Sequence, residues 1–249
     1  MNRRSFLKLC AHTGTVGTLL ERYGSDDGSL DVRVWLSERA ASRGPVAERA
    51  TGYLDRTLGA VRDDVTVTAG GTVAVSREHG YDVVVSGEWP GKLAVGAADG
   101  DVSPVDDVNL LVTDGPMDSA PTGGGRAHIA AVGGARYLAA MPPVSDVSPV
   151  VRYSRPARVM QVLLHEAGHA LGLTHDQGSV RTHGDAAVAT PMIGNYAWTE
   201  GYDPSTGACG TVSGLDADRR RLSFLFSECA ANAIDAYDGG LSVPSLSDL

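Results

Sequence analysis

The sequence predicts an α+β domain in two unequal parts: a β-sheet with flanking helices and one long helix, then a smaller C-terminal lobe with a final helix. Three patterns predict it. Short apolar and alternating runs recur as far as Met141, Arg155 to Leu171 reads as one long helix, and helical spacing returns after a Gly- and Thr-rich stretch that ends at Gly214. At 249 residues the chain can build one sizeable core, or two lobes sharing a cleft.

Asp31 to Leu36 alternates like a strand, and Ser37 to Ala60 then shows helical spacing through Ala40, Val46, Ala50, Leu54 and Leu58. Val65 to Val75 and Tyr81 to Ser86 read as further strands. Val108 to Thr113 is a short apolar run suited to a buried parallel strand. Gly123, Gly124 and Gly125 break the chain before two more strand candidates, His128 to Val132 and Tyr137 to Met141. Ser154 is placed to cap the long helix, with Pro156 in its first turn, where a missing N–H costs nothing. Val159, Met160, Val162, Leu163 and Leu164 make that helix a buried one. In the final helix Leu215, Leu222, Leu225, Phe226, Cys229, Ala233 and Tyr237 mark an apolar stripe, and Arg219, Arg220 and Arg221 its solvated face. The tail after Gly239 reads as frayed.

The chemistry concentrates in His165-Glu166-Ala167-Gly168-His169-Ala170-Leu171-Gly172-Leu173-Thr174-His175. On a helix His165 and His169 stand one turn apart on one face, so both imidazoles reach one metal ion, with Glu166 beside them. Gly172 can end the helix in a left-handed conformation that residues with a Cβ adopt reluctantly, and the reversed chain returns His175 as a third ligand. Three protein ligands leave one tetrahedral position open, as in catalytic zinc sites.

This stretch resembles the extended zinc signature of the metzincin metallopeptidases, His-Glu-x-x-His-x-x-Gly-x-x-His, at every fixed position. The resemblance implies an α+β zincin-like fold, with a twisted mixed β-sheet ahead of the zinc helix and a small C-terminal lobe. It also implies Zn2+ held by His165, His169 and His175, with Glu166 as general base. A methionine-containing turn lies under the metal in that clan, and Met192 in Thr190 to Tyr196 takes this role by position. Some members carry a tyrosine two residues after the methionine. Here Gly194 holds that place and Tyr196 is the nearest tyrosine. An edge strand lines the cleft and pairs with extended substrate in the clan, and Arg126 to Val132 corresponds to it in order; the alternative is an interior strand.

The formal charge is -9 and the only lysines are Lys8 and Lys92, so no nucleic-acid partner is expected. High Asp, scarce Lys and abundant Ala, Gly and Val are similar to the composition of proteins from salt-loving archaea; a GC-rich genome also depletes lysine. Arg3-Arg4-Ser5-Phe6-Leu7-Lys8 resembles the twin-arginine export motif, and Leu9 to Leu20 is shorter than the roughly 20 residues of a membrane span. If the segment is cleaved near Gly24, Cys10 leaves with it and Cys209 and Cys229 remain, an even pair that invites a disulfide in an exported protein, against the alternative of two buried thiols.

His183 and Asp185 read as residues of a solvated loop, with a substrate contact by one of them as the alternative, and Asp176 is a fallback oxygen ligand or an imidazole partner. Asp99, Asp101, Asp106 and Asp107 lack an EF-hand pattern and read as plain surface, with calcium as the alternative. His128 reads as a strand residue and His79 as a turn residue.

The expected organisation is an export signal over 1–24, an upper catalytic subdomain over 25–178 and a lower one over 179–249. The expected protein is a monomeric, secreted or cell-surface zinc endopeptidase acting on peptides or proteins, without a stable membrane span. Two alternatives stay open: an exported zinc-binding interaction module without hydrolysis, and a metal-dependent hydrolase of a non-peptide bond.

Overall fold

The alternation that predicts the first strand also sets the layering of the molecule, seen here in a computed structural model that describes residues 29–99, 102–117, 123–194, 198, 209–210 and 219–239. β1 (Leu30–Ser37) sends Leu30, Val32, Val34 and Leu36 into one core and Trp35 into another. β3 (Val108–Val112) and β5 (Ile129–Val132) repeat this parity, with Leu110 and Ala130 on the first side, Leu111 and Ala131 on the second. Side chains of period two therefore bury the sheet on both faces, as parallel strands require.

The sheet order is β2-β1-β3-β5-β4, where β2 is Val65–Val73 and β4 is Gly123–Arg126. The first four strands run parallel and β4 runs antiparallel to β5 at the edge, so the sheet is mixed. After the short α1 (Glu38–Ala41), three helices supply the first core: α2 (Val46–Gly59), α5 (Ala135–Ala139) and the long α6 (Arg155–Ala170). α3 (Gly80–Val85) and α4 (Glu88–Asp99) cover the other face, where Val83, Val84, Trp89 and Leu93 meet Trp35.

A second mixed sheet has the order β6-β9-β8-β7, from Val150–Arg152, Arg219–Ser223, Ala186–Ala189 and Val180–His183 respectively. Gln161 on α6 anchors it: its buried side-chain amide donates to Ala189 O at 2.8 Å and Ser223 O at 2.9 Å. Each bond gives the buried amide a partner and ties α6 to two strands of the sheet. The last helix, α7 (Glu228–Asp235), is capped by Ser227, whose Oγ accepts from Ala230 N at 3.2 Å and donates to Gln177 O. A disulfide joins Cys209 to Cys229 in its first turn, and Cys209 N donates to Gly178 O.

Several expectations from the sequence are overturned. Tyr81 to Ser86 and Tyr137 to Met141 are not strands but the helices α3 and α5. Arg219, Arg220 and Arg221 lie on β9, between β6 and β8, and not on a helix, so the final helix begins only at Glu228. The edge strand is β4, formed by the three glycines read as a break, while Ile129 to Val132 is interior. His128 is in the intervening turn at φ 67. Asp107 is no surface acid: at 2% exposure it accepts from Asp31 N at 2.8 Å and from Tyr237 Oη at 3.1 Å, tying the end of α7 to the start of β1. Burial first, and then the Asp107 charge, push the Tyr237 phenol well above its ordinary pKa.

Among the described residues no helix is long and apolar enough to cross a membrane. The disulfide closes a loop with a sequence separation of 20. Cys229→Ser is expected to lower stability by about 3 kcal/mol on chain-entropy grounds, measured by denaturant unfolding. Equal midpoints for the variant and the oxidised protein would contradict this.

Candidate metal centre

Helix α6 brings the first two imidazoles together because it is buried, well capped and free of breakers. Ser154 Oγ accepts from Ala157 N at 3.3 Å, and Pro156 sits in the first turn. The other end closes on Gly172, at φ 85, which only glycine adopts without strain. Leu173 N donates to Gly168 O at 2.9 Å and Gly172 N to His169 O at 3.0 Å, the paired bonds of a Schellman end. The chain then turns back through a one-turn 3-10 helix, His175–Gln177, whose first turn is pinned by Thr174 N donating to the Gln177 side chain at 2.6 Å. This returns His175 to the two helical histidines.

His165 Nδ1 lies 2.6 Å from Pro191 O, and His169 Nδ1 lies 2.8 Å from Leu173 O. A carbonyl oxygen only accepts, so each Nδ1 carries the proton and each Nε2 is left with a bare lone pair. Those lone pairs converge: His169 Nε2 is 2.9 Å from His165 Nε2 and 3.2 Å from His175 Nε2. All three ligand atoms lie within 4.8 Å of one another. Burial, followed by the charge of His169, lowers the His165 pKa to about 3, and burial lowers that of His169 as well. Neutral imidazoles with facing lone pairs repel one another unless a cation lies between them.

The geometry fits such a cation. Two nitrogens each about 2.0–2.1 Å from one tetrahedral zinc stand roughly 3.3–3.4 Å apart, close to the spacings of this cluster. The backbone carbonyls on both Nδ1 atoms are the usual outer partners of metal-binding histidines. Exposure rises from His165, at 3%, through His169 to His175, so the cluster opens towards solvent on the His175 side.

Glu166 stands beside the triad at 2% exposure, with its side chain against β4. A Cβ at Gly123 would lie 2.8 Å from Glu166 Cγ. One at Gly125 would lie 2.8 Å from His169 Cβ and 3.1 Å from Glu166 Oε2. Glycine at these two positions lets the edge strand approach both the carboxylate and a ligand. Beneath the helix Met192 is fully buried, and a Cβ at Gly168 would lie 2.5 Å from its Sδ. Gly168, at a variable position of the signature one residue before His169, thus seats the methionine.

Other sequence candidates are not brought here. Asp176 is exposed in the turn that carries His175, outside the cluster. His183 and Asp185 flank the turn of the β7-β8 hairpin, where Asp185 pairs with Arg219 at 2.7 Å. His79 precedes α3, and His128 Nδ1 lies 3.1 Å from Asp107 O. Tyr196 and Asp101 lie outside the described residues. Sequence reasoning missed Gly123 and Gly125 as site residues; their alternate positions in a run of glycines were the available signal.

No protein-family model and no curated protein matches the chain. Among solved structures it is similar to archaemetzincin from Methanopyrus kandleri, at 16% identity and a TM-score of 0.43, over 85% of this chain and 97% of that one. It is also similar to a chain in the structure of a chaperone-substrate complex, at 15% identity and a TM-score of 0.42, over 87% of this chain; it spans 35% of that one. Both likenesses are distant, and the site stands on its own geometry.

The low pKa of His165 has a direct consequence for stability. Unfolded, it takes up a proton near 6.5; folded and metal-free, only near 3. The unfolded state therefore binds more protons between these values, and chelator-treated protein is expected to lose stability progressively as pH falls from about 6.5 towards 3. Thermal unfolding midpoints across that window measure it, and a flat profile refutes it.

Proposed function

We propose that the chain is a zinc-dependent endopeptidase, with His165, His169 and His175 holding the metal and Glu166 as general base. The observation that carries the proposal is the convergence of three imidazole Nε2 atoms, two of them on rings whose Nδ1 faces a carbonyl, beside a buried carboxylate at a strand edge. Three imidazoles leave a zinc ion one open position, and zinc so held lowers the pKa of water towards neutrality and polarises a carbonyl.

The protein's own groups supply the rest. The Glu166 side chain packs against β4 next to His165 in sequence, and its carboxylate is assigned to take a proton from the attacking water and deliver it to the leaving amine nitrogen. The peptide C–N bond breaks and a C–O bond forms, and the proton moves from water to amine. Substrate is held by β4: among the described residues this strand pairs only with β5, and its other side is suited to an extended peptide. Gly123, Gly124 and Gly125 contribute no side chains there, so main-chain pairing tolerates many sequences. Met192 floors the helix under the metal by packing on Gly168.

We further propose a secreted or cell-surface protein, exported by the twin-arginine route and active as a monomer in high salt. The Cys209–Cys229 bond supports an oxidising destination, and the acidic, lysine-poor composition supports a saline one. The export segment itself, residues 1–24, lies outside the described residues.

The decisive measurement is hydrolysis of an unfolded protein in high salt, with and without chelator. Glu166→Gln is expected to keep its zinc and to lose about 10²–10⁴-fold in turnover. His169→Ala is expected to lose the zinc itself. Stoichiometric zinc without any hydrolysis would favour a binding module, and turnover confined to non-peptide bonds in a substrate panel would favour another hydrolase. Full activity in Glu166→Gln would remove the assigned base.

A further inference from the structure

We infer that Tyr81 is a specificity-determining residue, which selects an aromatic or large aliphatic side chain at the substrate position facing Gly124. The inference rests on the peptidase reading above and adds a substrate preference to it. Parity along β4 carries the argument. Gly123 and Gly125 face α6, Glu166 and His169, whereas Gly124 faces α3, where a Cβ would lie 3.4 Å from both Cα and Cδ2 of Tyr81 and 3.8 Å from Val84 Cβ. The register agrees: Gly124 pairs with Ala131 of the α3-side core, Gly125 with Ala130 of the α6-side core.

A peptide added to the outer side of β4 inherits this alternation. The residue directly opposite Gly124 points its side chain to the α3 face, with its Cβ about 4.5–5.5 Å from where a Gly124 Cβ would stand. Its two neighbours point to Glu166 and the metal ligands. With no side chain at Gly124, α3 packs directly on the strand and brings the Tyr81 ring to its edge, where the substrate side chain opposite Gly124 can lean onto it.

Tyr81 is suited to that contact. It is 52% exposed, and Val85, one helical turn on, is 51% exposed, while Val83 and Val84 between them are buried in the core that fixes α3. Arg126, the next residue of β4 on this face, donates from its guanidinium to Val84 O at 3.1 Å and holds helix and strand together. An exposed aromatic ring on a rigid element beside a glycine edge gains contact area when an apolar side chain covers it. An acidic or very small side chain at that position gains nothing comparable.

The test is a peptide-library digest with the zinc-loaded protein, aligned on the cut sites, for wild type, Tyr81→Ala, Tyr81→Phe and Val95→Ala. Val95 is a similarly exposed apolar residue on α4 and serves as the control. Wild type, Tyr81→Phe and Val95→Ala are expected to enrich Phe, Tyr, Trp or Leu at one position, with no such enrichment at the positions on either side. Tyr81→Ala is expected to lose roughly ten-fold of that preference there while cutting peptides with Ala at the position at the wild-type rate. An unchanged preference in Tyr81→Ala, or an equal slowing on every peptide, overturns the inference and leaves the peptidase reading standing. Absence of any cleavage by wild type overturns the peptidase reading first, and the inference with it.

Discussion

Imidazole nitrogens that carry lone pairs and no proton, held about 3 Å apart, are the constraint on which the rest of this structure turns. His165 and His169 cannot relieve this repulsion between themselves, because both Nδ1 protons are already committed to the carbonyls of Pro191 and Leu173. Protonation is no escape for His165 either, since burial opposes the charge. Such an arrangement is suited to hold a cation between the rings. Both carbonyl contacts select the tautomer that leaves Nε2 free for a metal, and the one from Pro191 also tethers α6 to the loop that carries Met192.

That tether explains why the two sheets behave as one support. α6 lies under the larger sheet through Val159, Leu163 and Ala167. It reaches the smaller one through Gln161, whose amide spans β8 and β9. The third ligand arrives on a turn held from outside, where Ser227 at the start of α7 donates to Gln177 O and Cys209 N to Gly178 O. The disulfide and the Asp107–Tyr237 bond then fasten α7 at its two ends. Elements far apart in sequence thus converge on the placement of a single imidazole, and the glycines of β4 and α6 set how near their neighbours come.

Errors in reading the strands have a common physical origin. Tyr81 to Val85 is rich in β-branched residues, which favours a strand on local grounds. It instead forms a helix on the outer face of the sheet, where the adjacent Val83 and Val84 are both buried and period two is broken. Arg219 to Leu222 fits a helical stripe continuing to Tyr237, yet pairing with β6 and β8 draws it into a sheet. The Gly123 to Gly125 run has almost no strand propensity of its own. It is a strand because β5 offers it a ladder and because α6 leaves room for no side chain at Gly123 or Gly125. In each case partners remote in sequence overrode the local preference.

The sequence by itself determined the long helix, its Ser154 cap, its Gly172 end and the three histidines, because a spacing of four on a helix and one left-handed glycine are local geometry. It also determined the strands of the sheet centre, where short apolar runs bounded by turn residues are a local signal. Only the tertiary structure decided which strand forms the edge, which carbonyls orient His165 and His169, how Met192 seats on Gly168 and where Tyr81 stands. Those are contacts between segments tens of residues apart, and no periodicity within either segment encodes the distance between them.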